Sequence, residues 1–174
     1  LHCSSAASDV YKRQNHDFVL VYLPWEDPKL IESVLNKISD KIFYVYGHKS
    51  KKKLRGNIKW KPFSRSGFIK DLESCNGVIC NAGFELTSEC LSLNKKILVK
   101  PVMSQVEQLA NVKALDSLEL ASTTNKITNA VVSDWIENDS KSLLPYFNVV
   151  DPVVDWIGSG NFDDIYSLRK KVWS

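Results

Sequence analysis

The sequence predicts an α/β fold: a Rossmann-like, doubly wound parallel sheet in a single domain. Two observations carry this. Short apolar runs and amphipathic stretches alternate five times within about a hundred residues after Phe18. The apolar runs are also continuous instead of alternating with polar residues, which requires a sheet covered on both faces, hence parallel strands joined by crossover helices.

The elements follow in order. Phe18 to Leu23 is an apolar run of β-formers stopped by Pro24, a buried strand. Leu30, Ile31, Val34, Leu35 and Ile38 recur at helical spacing, so Lys29 to Ile38 is a helix. Ile42 to Tyr46 is a second buried strand, ended by Gly47. His48 to Arg55 reads as a polar, basic connector, and Ile58 to Trp60 as a shorter strand leading to Pro62-Phe63. Phe68, Ile69 and Leu72 mark a helix. Val78 to Cys80 is a strand, Glu85 to Leu93 a helix, Ile97 to Val99 a strand and Val106 to Leu118 a helix. The helical pattern resumes from Lys126 to Trp135, and Pro152 to Ser174 reads as a linker with one terminal helix. Trp135 and Trp156, with Val131, Val132, Ile136 and Ile157, are expected to pack the terminal helices on the sheet. An exposed Trp156 or Trp173 marks an expected interface.

Bulk properties narrow the classes. A chain of 174 residues has room for one ordinary domain with a real core. Its 44% hydrophobic and 25% charged residues place it among globular proteins. A net charge of +3 favours neither a nucleic-acid partner nor an acidic one, and none is expected. No apolar run reaches the ~18 residues of a membrane span. With no visible secretory signal, the expected compartment is cytoplasmic. Cys3, Cys75, Cys80 and Cys90 lack zinc-type pairing, and the last three lie among apolar residues, so they read as reduced and structural.

The first residues stand apart. Asp9-Val10-Tyr11-Lys12-Arg13-Gln14 resembles the translated end of a transposon-derived library adapter. Residues 1–14 are therefore read as non-native or as a disordered terminus. Residues 15–150 are the expected domain and 151–174 a terminal helix and tail.

Chemistry concentrates between Cys80 and Asn111. The turn Asn81-Ala82-Gly83-Phe84 joins a strand to a helix, and a small-residue turn there leaves free N–H groups on which an anion can sit. The same turn is also ordinary chain reversal. Thr87 and Ser88 offer hydroxyls. Glu89 stands about a turn and a half into the helix, where a carboxylate can accept both hydroxyls of a ribose or simply face solvent. After the strand ending at Lys100-Pro101-Val102, Gln105, Glu107 and Gln108 crowd the next helix start at the same sheet edge. Amide and carboxylate groups there suit a ligand with vicinal hydroxyls, and they also serve as ordinary helix caps.

Taken together, Asn81-Ala82-Gly83-Phe84, Thr87-Ser88-Glu89, Lys96, Pro101 and Glu107-Gln108 with Asn111 resemble the carboxyl-terminal domain of GT-B glycosyltransferases. Their pattern is of the G-G-x-x-x-x-S-E…P…E-Q-x-x-N-A type. The resemblance extends from about Phe18 to Leu118. It is nearest to the glycosyltransferases grouped with teichoic-acid-type biosynthesis proteins, and more remote from the peptidoglycan N-acetylglucosaminyltransferase. Asn57 to Phe63 resembles the family's strand into a base-binding loop.

This resemblance implies a nucleotide-sugar-binding half of a two-domain enzyme that transfers a sugar from a nucleotide diphosphate, UDP-linked, during cell-envelope polysaccharide synthesis. Ala82, Gly83 and Phe84 are implied to hold the diphosphate, with Thr87 or Ser88 assisting and Asn81 at the strand end. Glu89 is implied to hold the ribose, Glu107 and Gln108 with Gln105 the donor sugar, and Pro62 and Phe63 the base. No cofactor and no metal are implied. The catalytic base is expected on a missing N-terminal acceptor domain or partner subunit, with peripheral membrane contact through it, and the isolated fragment is expected to be inactive. Residues 151–174 are expected to cross to that domain.

Two departures stand out. Leu23-Pro24-Trp25-Glu26 lacks the Gly-Gly-Ser loop that some relatives use on the phosphate, and Ala82 replaces a glycine, which a negative φ tolerates. The histidines offer no base: His2 and His16 lie near the terminus and His48 in the basic loop. The run from Lys49 to Arg55 reads as a solvated connector.

Three alternatives remain open: a donor-binding subunit of a split enzyme, a nucleotide-sugar epimerase, which the scarcity of histidine disfavours, and an oxidoreductase, which lacks its G-x-G-x-x-G here.

Overall fold

The structure, a computed structural model, describes residues 17–47, 53–138 and 149–172. The readings on residues 1–14, on His48 and Lys49 to Lys52, and on Trp173 lie outside them. The chain divides into two compact units between Leu143 and Leu144, earlier than the boundary expected after residue 150.

The first unit is one seven-stranded sheet. Its elements are β1 (Phe18–Tyr22), α1 (Pro28–Leu35), β2 (Ile42–Tyr46), β3 (Lys53–Arg55), β4 (Ile58–Lys61), α2 (Arg65–Ser74), β5 (Gly77–Asn81), α3 (Phe84–Ser92), β6 (Lys96–Lys100), α4 (Val106–Ser117), β7 (Ser122–Thr123) and α5 (Asn129–Glu137). The strand order is β3-β4-β2-β1-β5-β6-β7, parallel throughout except for β3, which runs antiparallel to β4. Setting the β3 hairpin strand aside, this is the doubly wound order in which the direction of winding reverses between β1 and β5.

The continuous apolar strands do what a two-faced sheet requires. Val19 and Val21 point to one face, where Ile79, Leu98, Ile31, Leu35 and Val132 pack under α1 and α5. Phe18 and Leu20 point to the other, against Val78, Cys80, Leu72, Cys90 and Leu115 under α2, α3 and α4. Each fully buried aliphatic or aromatic side chain here contributes about 1.5–3 kcal/mol. Trp135 is buried, as expected of a helix packed on the sheet. Its ring lies on Gly77: a Cβ there would stand 2.8 Å from Trp135 Cη2 and 3.1 Å from the Lys96 carbonyl oxygen. Cys75, Cys80 and Cys90 are free and buried, in line with the reading as reduced core residues.

Two strands escape the sequence reading. The expected connector up to Arg55 contains β3, folded back on β4 through a tight turn in which Gly56 takes φ +62. Asn57 fixes that turn, its amide nitrogen donating to the carbonyls of Leu35, Ile38 and Lys41 at 2.6–3.0 Å. The other missed strand is β7, a two-residue edge.

The second unit holds two helices, α6 (Val150–Ser159) and α7 (Ile165–Val172), in place of the single terminal helix expected. The division has a local cause. Gly160 adopts a left-handed φ of 67 that ends α6, and Asp164 accepts from the Ser167 N–H at 3.1 Å to open α7. Trp156 packs edge-on to Phe162, ring centroids 5.4 Å apart, and Ile157 is exposed.

Candidate functional site

The winding reversal between β1 and β5 is where such sheets bind ligands, beyond the carboxyl ends of the strands. Three segments meet at that edge: the turn Leu23 to Asp27 after β1, the turn Ala82-Gly83 after β5, and the loop Pro101 to Gln105 after β6. Trp25, Phe63, Phe84, Met103 and Val106 all lie at the carboxyl edge and are all more than half exposed.

The β5–α3 turn is built for close approach. Gly83 is the N-cap of α3 at φ −70 and ψ 142, and it provides no side-chain cap. Neither it nor Ala82 takes a left-handed φ, so the exchange of glycine for alanine at 82 costs no strain. A Cβ at Gly83 would meet nothing within 4 Å. The glycine is therefore needed neither for the turn nor for packing, and it leaves the first-turn N–H groups of α3 uncovered. Ala82 is fully buried, and its carbonyl accepts from Asn111 Nδ2 at 3.0 Å.

Thr87 faces inward. It is buried, and its hydroxyl is turned back on the carbonyls of Gly83 (2.8 Å) and Phe84 (3.0 Å). Its hydroxyl proton braces the turn. Ser88 is half-buried, Phe84 is exposed at the first position of α3, and Glu89 is exposed farther along the helix.

The start of α4 is organised differently from the expectation. Gln108 is buried: its Oε1 accepts from the Val102 N–H at 3.0 Å and its Nε2 donates to Gln105 Oε1 at 2.7 Å. It therefore holds the loop and positions Gln105. Gln105 and Glu107 are exposed at the helix start. Pro62 and Phe63 follow β4, exposed, with the Phe63 ring 6.0 Å from that of Tyr22. The topology thus gathers the turn at 81–84 and the loop at 101–108 on adjacent strands. Pro62 and Phe63 stand three strands away from β5, across β2 and β1.

Asn81 has neighbours at this edge that were not singled out from sequence: the Glu26–Lys100 pair, and Asp71 with Tyr46 and Lys61. Lys100, the last residue of β6, is ion-paired with Glu26 in the turn after β1, each side chain 13% exposed. Asn81 ends β5 between them. Its Nδ2 donates to the Lys100 carbonyl at 3.0 Å, while its buried Oδ1 has no hydrogen-bond partner among the described residues. At the ends of β2 and β4, Asp71 of α2 accepts from Tyr46 Oη at 2.6 Å and pairs with Lys61. Burial, then the hydrogen bond to Asp71, raises the Tyr46 phenol above the usual tyrosine range. The nearest sequence signal for these was a polar residue closing an apolar strand, at Asn81, Lys100 and Lys61. Beneath the β5–α3 turn, burial pushes Cys80 up to about 12, and at the amino end of β5 it pushes Cys75 up to about 11.

Comparison with known proteins bears on the fold and the family. No curated protein matches the chain in sequence. Among solved structures, the chain is similar to the glycotransferase of kitacinnamycin, at 15% identity and TM-score 0.57, over 72% of this chain and 36% of that one. It is similar to ALG13, at 12% identity and TM-score 0.53, over 82% of this chain and 95% of that one. It is also similar to the spinosyn rhamnosyltransferase SpnG, at 13% identity and TM-score 0.51, over 78% of this chain and 41% of that one. The chain therefore spans well under half of two of these proteins and nearly all of the third. At these identities the likeness establishes the fold. The sequence itself matches the family described as "Glycosyl transferase family 1" over residues 8–139, and the chain belongs to that family.

Proposed function

We propose that this chain is the donor-binding domain of a glycosyltransferase, holding a UDP-linked sugar at the β1/β5 reversal. The observation that carries the reading is the uncapped start of α3 at Gly83, open to close approach, on a chain of this family. In the reaction, the bond between the anomeric carbon and the diphosphate oxygen breaks, and a bond to an acceptor hydroxyl forms. The first-turn N–H groups of α3 stabilise the negative charge that develops on the leaving diphosphate. Glu89 accepts the ribose hydroxyls, and Gln105 and Glu107 face the sugar. Pro62 and Phe63 meet the base. The acceptor's proton goes to a base outside the described residues, on an N-terminal acceptor domain or a partner subunit. The acceptor belongs to a cell-envelope polysaccharide.

Calorimetric titration of the chain with UDP and UDP-N-acetylglucosamine tests the donor reading, beside a Glu89→Ala variant. Saturable binding is expected, weakened about tenfold or more in the variant, the scale of a lost charge-assisted hydrogen bond. Glu89 is exposed, so the melting temperature should stay put. Equal affinity for wild type and variant removes Glu89 from the site, and no binding by the folded chain overturns the reading.

A further inference from the structure

We propose that Glu26 and Lys100 form a latch across the β1/β5 crevice, opened when the donor's diphosphate replaces the Glu26 carboxylate at the Lys100 ammonium. This deepens the donor-binding reading and rests on it.

The pair's place in the fold is the first argument. Glu26 follows β1 and Lys100 ends β6, and β5 lies between those strands in the sheet. An ion pair joining them must span the end of β5, directly before the turn at Ala82-Gly83. Glu26 reaches it from a tight turn closed by its own N–H on the Leu23 carbonyl at 3.1 Å.

Burial is the second argument. Both side chains are 13% exposed, although each is long enough to reach water from a loop or a strand end. Removing two charges from solvent costs several kcal/mol per ion before their attraction offsets it. Such a pair is weak evidence for stability, and its position is better understood as a charge stored where charge is used.

The surroundings supply the third. Asn81, register partner of Lys100, anchors the Lys100 carbonyl and keeps a buried, unpartnered Oδ1 at the same strand end. That acceptor fits an N–H or O–H from another part of the donor, such as a hydroxyl, since the ionised diphosphate carries none. Next to it, Gly83 leaves open space at the start of α3. A diphosphate at this turn meets N–H donors from α3 and needs a cation. Lys100 is that cation, and Glu26 is the carboxylate in its way. Carboxylate and phosphate oxygens are interchangeable partners for an ammonium. The exchange moves side chains only, and Glu26 turns out to solvent when the diphosphate arrives. In this chain, the turn that lacks a Gly-Gly-Ser phosphate loop therefore carries the counter-ion instead.

The test is calorimetry of the whole chain with UDP, with inorganic pyrophosphate and with uridine. Glu26→Gln frees Lys100 and should tighten UDP and pyrophosphate by about tenfold, the scale of one charge-assisted hydrogen bond. Uridine, lacking phosphate, should bind unchanged. Lys100→Met should weaken UDP and pyrophosphate by a similar factor. Because that variant leaves Glu26 without its partner, the double variant Glu26→Gln/Lys100→Met guards against loss of fold. It should bind pyrophosphate at least about tenfold more weakly than Glu26→Gln alone. Unchanged pyrophosphate affinity in Glu26→Gln, or equal shifts for uridine and UDP, overturns the latch. If UDP binding is lost in Glu89→Ala but ignores Glu26 and Lys100, the latch falls and the donor reading stands. If no variant binds any of the three ligands, both fall.

Discussion

Asn111 of α4 donates from Nδ2 to the carbonyl of Ala82 at 3.0 Å, tying one helix to the turn that opens another. Two segments of the site, carried on neighbouring strands, are thereby fixed to each other by a single amide. The Ala82 carbonyl belongs to a fully buried residue.

Asn111→Ala should therefore leave that carbonyl unsatisfied, at a cost of about 1–3 kcal/mol. Urea denaturation measures the loss. Asn111→Asp provides no donor in its ionised form and should be no better. Stability equal to wild type in both variants would show that the bond contributes nothing.

Two glycines should respond differently to alanine. Gly77→Ala drives a methyl into the Trp135 ring and the Lys96 carbonyl, and overpacking of this kind costs about 1–3 kcal/mol. Gly83→Ala meets open space at a φ that alanine accepts, but alanine is a poorer N-cap than glycine, so its melting temperature should fall only slightly. The same methyl stands where the diphosphate approaches, and UDP affinity should fall. Thermal melts and titrations on both variants separate the two roles.

The buried thiols should be silent in the native state. Burial raises Cys75 to about 11 and Cys80 to about 12, and it raises Cys90 further in the same direction. Thiolates are the reactive form. Iodoacetamide near pH 8 should label these three only after denaturant is added, as peptide mass mapping reports. The sign for stability follows from linkage. A pKa raised on folding adds stability that is complete below the unfolded value of 9.0 and is lost as pH rises through the folded values.

Tyr46 and Asp71 add a second alkaline dependence. The folded phenol titrates above its unfolded value of 10.0, so its contribution is whole below that pH and fades above it. Tyr46→Phe should cost about 1 kcal/mol at neutral pH and flatten the decline in stability above pH 10. Asp71→Ala strips the Tyr46 hydroxyl and Lys61 of a shared partner and should cost about 3 kcal/mol. Urea midpoints from neutral to alkaline pH check both.

The long elements were legible in the sequence because their signal is local. Phe18 to Tyr22 and Gly77 to Asn81 are continuous apolar runs, and both become central strands buried on two faces. β3 and β7 were not, since Lys53–Arg55 and Ser122–Thr123 carry no apolar pattern and are strands only because a neighbour presents a free edge. At the site, the turn at Ala82-Gly83 could be read from small residues between a strand and a helix. The burial of Thr87 and Gln108 could not, because helical phase at a short polar start is set by packing from other elements. The Lys100–Glu26 pair joins residues 74 apart in sequence, and nothing near either residue announces the other.

The sheet begins and ends on its shortest strands, three residues at β3 and two at β7, while every strand between them has four or five. An exposed strand edge is a template for pairing with another chain, and its adhesiveness grows with the length of its unpaired ladder. Among the described residues of this unit, an incoming strand finds two or three strand residues to zip against at either side. The cohesive, apolar strands that hold the fold together are thus kept away from the borders where the same stickiness would seed aggregation.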